Sequence, residues 1–182
     1  KPDDALTRAE FADVLTLSNS VRQSLLGNTA KFFDVDASVA ATVNAVTSEG
    51  ASLGDLNMSN GPLMLTGGSE QFGASQTVTK EAMAYSFVQA LGLEEEAQSF
   101  DTTETLFAVV FDQSVPVADS ELIAPEMRGY VQQALAMGLM QVQVEVEQGP
   151  FDLEPTLVAY FNPTDEVSRG ETAFVVTQLH QL

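Results

Sequence analysis

Three basic residues occupy equivalent positions in a repeated motif, and their side chains are the ones in this sequence best suited to bind an anion. Aligned on Arg8, Lys80 and Arg169, each motif places an aliphatic residue and a hydroxyl residue before the cation. A cation beside a helix N-terminus can donate charge-assisted hydrogen bonds to a carboxylate or phosphate. We therefore predict anion-binding sites at these three residues. The alternative is that each one pairs with a local acid such as Asp4 or Asp165.

The hydroxyl residue before each cation predicts the start of a helix. Thr7 with Glu10, and Ser168 with Glu171, fit the capping box, in which the hydroxyl and the carboxylate each accept a backbone N–H. Thr79 occupies the same position in the middle motif, where no Glu follows at the third helical residue. We predict that these five residues are structural caps.

The motif belongs to a longer repeat of helix, connector, basic motif and helix. Apolar residues at helical spacing followed by a glycine precede the second and third motifs, ending at Gly50 and Gly138. We predict one module of three repeats: the second half of repeat 1 at 1–28, repeat 2 at 29–100 and repeat 3 at 101–182. Repeat 1 lacks its leading half in this sequence, and two completions stay open: preceding residues or another chain.

Repeat 3 also contains two predicted β-hairpins. Residues 140–147 alternate apolar and polar, which is typical of a half-exposed strand, and 156–161 is its predicted partner across a turn near Gly149 and Pro150. Residues 106–111 and 114–117 predict a second hairpin. We interpret both as additions to a mainly helical frame.

The segment that begins Asp34-Val35-Asp36 is similar to the start of a calcium-binding loop. Position six of such a loop is Val39 instead of Gly, and position twelve is Ala45 instead of Glu. We therefore predict a turn in which Ser38 caps the following helix. No motif indicates a calcium site, and no cofactor is predicted.

Several segments together resemble the S-layer homology repeat. The similar residues are the run Leu6-Thr7-Arg8-Ala9-Glu10-Phe11-Ala12, its counterparts at 78–81 and 167–171, the tripeptide Phe33-Asp34-Val35 and the stretch 128–139. The resemblance covers nearly the whole chain. The order and spacing also resemble the C-terminal region of secreted subtilisin-like proteases that carry degenerate repeats of this kind.

This resemblance implies a pseudo-threefold, mostly helical module that binds cell-envelope polysaccharide, often bearing pyruvate ketals, in grooves between repeats. It implies that Arg8, Lys80 and Arg169 meet the ketal carboxylate and that Glu10 and Glu171 are caps. The sequence departs from the family in having no Trp. Val39 or Ala40 stands where repeat 2 would have an aromatic, and Tyr130 is the candidate in repeat 3.

Composition excludes several classes of function. With 26 acids and 7 bases the net charge is −19, which excludes a nucleic-acid or anionic-membrane surface. No stretch is apolar enough for a membrane span, and no leader peptide is recognisable. With no Cys and one His, His180, the chain has no nucleophilic catalytic constellation.

Three hypotheses therefore follow from the sequence. The first is a non-catalytic module that anchors a secreted protein to the bacterial cell envelope through polysaccharide. The second is a degenerate scaffold that packs against its own protease domain, or forms a homo-oligomer, and binds no sugar. The third is an independent glycan hydrolase, for which the sequence nominates no carboxylate pair.

Overall fold

The computed structural model of the chain describes residues 1–19, 21–22, 27–53, 59–148 and 153–181. Its elements, in chain order, are α1 (Arg8–Ser18), α2 (Ala40–Val46), α3 (Lys80–Ala90), α4 (Glu94–Gln98), β1 (Phe107–Val110), β2 (Gln113–Pro116), α5 (Arg128–Ala136), β3 (Gln143–Glu147), β4 (Thr156–Tyr160) and α6 (Arg169–Leu179). Two short 3₁₀ segments, Ser120–Leu122 and Pro125–Met127, lead into α5.

The predicted mainly helical module is wrong. Within the described residues the chain has six helices and four short strands, with 36% of residues helical and 16% in strands, so the fold is a mixed α/β fold. The prediction failed because the helices are short, with 11 residues in the longest. Long connectors and two antiparallel sheets account for much of the remaining chain.

The two predicted hairpins are confirmed. β1 pairs with β2 around the tight turn at Phe111 and Asp112, and β3 pairs with β4. A parallel bridge between Val117 and Ala159 links the two sheets. The predicted turn at Gly149 and Pro150 lies outside the described residues.

Backbone hydrogen bonds join the three basic motifs in a closed ring. Leu6 N–H donates to Val167 O at 3.0 Å, Val78 N–H donates to Leu6 O at 3.1 Å, and Val167 N–H donates to Val78 O at 2.9 Å. All three side chains are buried, with at most 4% of their surface exposed. This ring, which we call the motif ring, fixes the starts of α1, α3 and α6 relative to one another.

A single cluster of buried apolar side chains surrounds the motif ring. Phe11 of α1 is fully buried and meets Phe87 of α3 edge to face, with ring centroids 5.7 Å apart. Phe161, beside the last motif, belongs to the same cluster. Residues from all three predicted repeats therefore share one core.

The helix caps follow the sequence. Thr7 and Ser168 each form a complete capping box with Glu10 and Glu171, and Thr79 accepts the N–H of Ala82. Ser38 does not cap a helix: α2 begins after Val39, and the Ser38 hydroxyl donates to Asp36 instead. The short Asp36–Ser38 turn satisfies this hydroxyl before the helix starts.

Removing one cap provides a quantitative test. We expect Ser168→Ala to lower the free energy of unfolding by about 1 kcal/mol, because the amide of Glu171 loses its acceptor. Ser38→Ala is the matched control and should change stability by less than about 0.5 kcal/mol. Urea unfolding followed by circular dichroism measures both, and equal effects would show that the capping hydrogen bond does not stabilise α6.

Candidate functional site

Backbone hydrogen bonds between neighbouring motifs occupy the helix N-termini at which anion binding was predicted. The amides of Arg8, Lys80 and Arg169 donate to carbonyl groups of the neighbouring motif at 2.8, 3.0 and 3.1 Å. The second amide of each helix also donates to a backbone carbonyl group. For example, Glu81 N–H donates to Pro163 O at 3.1 Å. Any anion site here must therefore rely on side chains.

Arg8 is a structural residue. Its Nε donates to Phe72 O at 2.9 Å, a terminal nitrogen donates to Leu65 O, and the guanidinium lies 4.7 Å from the centre of the Phe72 ring. Burial lowers the pKa of Arg8, and the negative charge of Asp34 opposes this effect. The side chain holds the connector before α3 in place and has little capacity left for a ligand.

Arg169 is neutralised by an acid from a different motif. Its guanidinium forms an ion pair with the carboxylate of Glu10, at the start of α1. Glu10 therefore acts both as a helix cap and as an ion-pair partner. Hydrogen bonds from the Thr7 amide and hydroxyl, and then the Arg169 charge, lower the pKa of Glu10 against the opposing effect of burial. Neither Asp4 nor Asp165, the predicted alternatives, takes this role.

Lys80 is the cation that remains available. In the part of the chain that the structure describes, its ammonium has no hydrogen-bond or ion-pair partner. The side chain is half-buried at the edge of an open groove of about 410 Å³ between α3 and α6. We call this cavity the Lys80 groove.

The walls of the Lys80 groove combine apolar and polar groups. Phe174 gives it an apolar surface, whereas Met83 is only 1% exposed. Gln141 adds a side-chain amide, but the amide of Gln143, the first residue of β3, already donates to Glu145 and accepts from Asn162. Glu171 also lines it, but one carboxylate oxygen accepts the amide of Ser168 at 2.8 Å. The groove therefore combines the Lys80 cation, the Glu171 carboxylate, the Gln141 amide and a surface for a carbon skeleton.

Two partly exposed aspartates, Asp34 and Asp119, hold the loops that carry the motifs. Asp34 accepts the backbone amides of Phe72, Gly73 and Ala74 at 2.9, 2.7 and 3.0 Å, with Gly73 at φ 78°. Asp119 accepts the corresponding amides of Phe161 and Asn162. The sequence indicated no such role for Asp34 and gave no sign of Asp119. A single acid that precedes a distant glycine or asparagine turn gives no local signal.

The predicted aromatic positions do not reach the Lys80 groove. Tyr130 is buried and packs on Tyr85, with ring centroids 4.7 Å apart. Burial raises the pKa of both phenols. Ala40 is buried as well, and Val39 packs against the core. These positions contribute to packing.

No group of three or more acidic or histidine side chains among the described residues is arranged to hold a metal ion. The described helices are all too short or too polar to cross a membrane. His180 is exposed at the C-terminus of α6. Neither a protein-family model nor a curated protein sequence matches the chain.

Proposed function

We propose that this chain is a non-catalytic module that binds an anionic cell-envelope polysaccharide and thereby attaches a secreted protein to the cell surface. The observation that carries the proposal is the ammonium of Lys80, free of partners among the described residues and placed at the edge of an accessible groove. A carboxylate or phosphate on a sugar is the group this cation suits best.

The neighbouring side chains favour a ligand larger than a simple ion. Phe174, which is 38% exposed, can cover the apolar face of a sugar ring or the methyl group of a ketal, while Gln141 can hydrogen-bond to hydroxyl groups. This combination of the Lys80 cation, the Gln141 amide and an apolar surface suits a carboxylated saccharide such as a pyruvylated one. We expect the recognised unit to be one substituted sugar at a time.

The proposal differs from the sequence prediction in the number of sites. Arg8 is bound to backbone carbonyls and Arg169 to Glu10, so each would have to give up an existing interaction before it could bind a ligand. Lys80 would give up none that the structure describes. We therefore expect one polysaccharide site for each chain.

The test is a binding titration with purified wall polysaccharide in its pyruvylated and depyruvylated forms. We expect Lys80→Ala to weaken binding of the pyruvylated form by about tenfold or more, because a charge-assisted hydrogen bond is lost. Lys31→Ala is the matched control, since Lys31 is an exposed lysine outside the groove. Equal binding by Lys80→Ala and wild type would contradict the proposal.

A second function is favoured by the side chains of Arg8 and Arg169. Two of the three repeated cations stabilise the module itself, which fits a scaffold that packs against a protease domain of the same protein and binds no sugar. This alternative predicts no retention on any polysaccharide. It also predicts co-purification with a separately expressed protease domain, measured by size-exclusion chromatography with light scattering.

A further inference from the structure

Strand β1 presents apolar side chains on both faces, although the core covers only one of them. Ala108 and Val110 point into the core and are buried. Phe107, Val109 and Phe111 alternate with them and are 44%, 70% and 83% exposed. A strand that carries apolar side chains on both faces is usually covered on both faces. The outer face of β1 therefore lacks a cover among the described residues.

The turn after β1 holds an exposed aromatic in an unfavourable backbone conformation. Val110 pairs with Gln113, so Phe111 and Asp112 form a two-residue turn, and their φ angles are 48° and 63°. Such turns favour Asn or Gly, and a bulky residue at positive φ is rare. Local strain of this kind is characteristic of functional sites. The turn would be more stable without the Phe that it displays to solvent.

The exposed face of β1 borders a second apolar surface on β3. Val109, Phe111 and Val144 line one cavity of about 600 Å³, with Met137 and Met140 behind them. All five residues of β3 are exposed, including Val146 at 67%. In the described residues β3 pairs with β4 alone. Its other edge is therefore open to an additional strand beside this cavity.

Charge indicates what kind of strand would fit. Neither hairpin contains a Lys or Arg, whereas Asp112, Glu145 and Glu147 give both an acidic character. A second copy pairing with β3 would bring Glu residues close to Glu residues, which destabilises paired strands. A strand whose apolar residues alternate with basic ones would instead place opposite charges beside Glu145 and Glu147.

We propose that β3 and the outer face of β1 form a docking surface for an extended segment of another protein in which apolar and basic residues alternate. The segment adds to the open edge of β3 through backbone hydrogen bonds, and its apolar side chains cover Val109 and Phe111. The surface adjoins the Lys80 groove, because Met140, Gln141 and Val142 line both cavities, but it does not use Lys80 itself. It does not depend on polysaccharide binding.

The experiment uses a capped, fluorescently labelled peptide of alternating Val and Lys, about eight residues long to match a typical strand. Fluorescence anisotropy measures its binding to the full chain. One control peptide replaces Lys by Glu, and another has the Val-Lys sequence with alternate backbone amides N-methylated. We expect saturable binding of the Val-Lys peptide and little binding of either control. The Glu peptide carries the opposite charge, and the N-methylated peptide cannot form the backbone hydrogen bonds.

Two protein variants locate the binding surface. Phe111→Asn removes the aromatic but suits the positive φ, so the variant should fold, and we expect it to bind the peptide about tenfold more weakly. Phe33→Asn is the control, because Phe33 is 77% exposed elsewhere and its loss should not change binding. Lys80→Ala should also leave peptide binding unchanged, which separates this result from the proposed polysaccharide site.

Three results would overturn the proposal. The first is the absence of saturable peptide binding below about 1 mM. The second is equal binding of the N-methylated peptide, which would exclude strand addition. The third is a wild-type dimer in sedimentation equilibrium that Phe111→Asn converts to a monomer, because the occupant of the surface would then be a second copy of this chain.

Discussion

Gly129→Ala should lower the free energy of unfolding by about 3–5 kcal/mol, comparable to the largest effects of single core substitutions. A Cβ atom at Gly129 would lie 1.8 Å from the carbonyl oxygen of Ala97 and 3.0 Å from the Cβ of Phe100. The obstructing atoms are chiefly backbone, so a change of side-chain rotamer cannot relieve the overlap. Either α4 or α5 has to move, and the buried side chains of both helices then lose contacts.

A matched control comes from another glycine of the same chain. A Cβ at Gly68 would meet nothing within 4 Å, so Gly68→Ala should be neutral or slightly stabilising. Thermal unfolding followed by circular dichroism should place the midpoint of Gly129→Ala roughly 10 °C below that of Gly68→Ala. Equal midpoints would show that α4 and α5 are not packed as closely as the structure describes.

Asp34→Ala should cost about 2–4 kcal/mol at neutral pH, because three backbone amides lose one charged acceptor. The loop they belong to carries Phe72, which also supports Arg8. Asp36→Ala is the control. It removes a carboxylate two residues away that binds only Ser38, and it should cost about 0.5 kcal/mol or less.

The effect of Asp34 should also depend on pH. Partial burial opposes ionisation of Asp34, but the amides of Phe72, Ala74 and Gly73 outweigh it and lower the pKa. A lowered pKa in the folded state gives stability that is complete above the unfolded value of about 4 and is lost as the pH falls through the folded value. The difference between wild type and Asp34→Ala, measured by urea unfolding, should therefore shrink below about pH 4. A constant difference would contradict this account.

Local signals in the sequence predicted the local structure well. The capping boxes at Thr7 and Ser168 are formed, and Gly138 has a positive φ angle directly after the C-cap of α5, as C-terminal capping glycines do. Gly50 has a positive φ angle as well, but it lies beyond Thr47, the C-cap of α2, and does not cap that helix. Alternation and turn residues predicted both hairpins. Each of these features depends on residues close together in the chain, so that a short window of sequence contains the whole cause.

The sequence could not reveal which atoms accept hydrogen bonds from the basic side chains of the three motifs. Arg8 finds its acceptors at Leu65 and Phe72, and Arg169 finds Glu10, which is 159 residues away. These partners are set by the motif ring, a tertiary arrangement. The same arrangement provides carbonyl acceptors for the N-terminal helix amides, which would have no acceptor in a single isolated motif. The three cations are equivalent in sequence, yet their side chains have different environments.

The balance of helix and strand was also misjudged. The repeated motif led to the prediction of a helical frame, and the two hairpins predicted between the helices were interpreted as additions to it. The long segments between the helices contain the four strands and the aspartate contacts at Asp34 and Asp119. A prediction based on the repeat alone therefore placed too much of the chain in helices.

The most direct test of the account observes the Lys80 ammonium itself. The chain has only three lysines, Lys1, Lys31 and Lys80, so nitrogen-15 NMR of the side-chain ammonium groups can resolve each one. We expect titration with a pyruvylated fragment of wall polysaccharide to shift the Lys80 resonance saturably, while Lys1 and Lys31 stay unchanged. Binding of the fragment without a change at Lys80, or no binding, would contradict the proposed site.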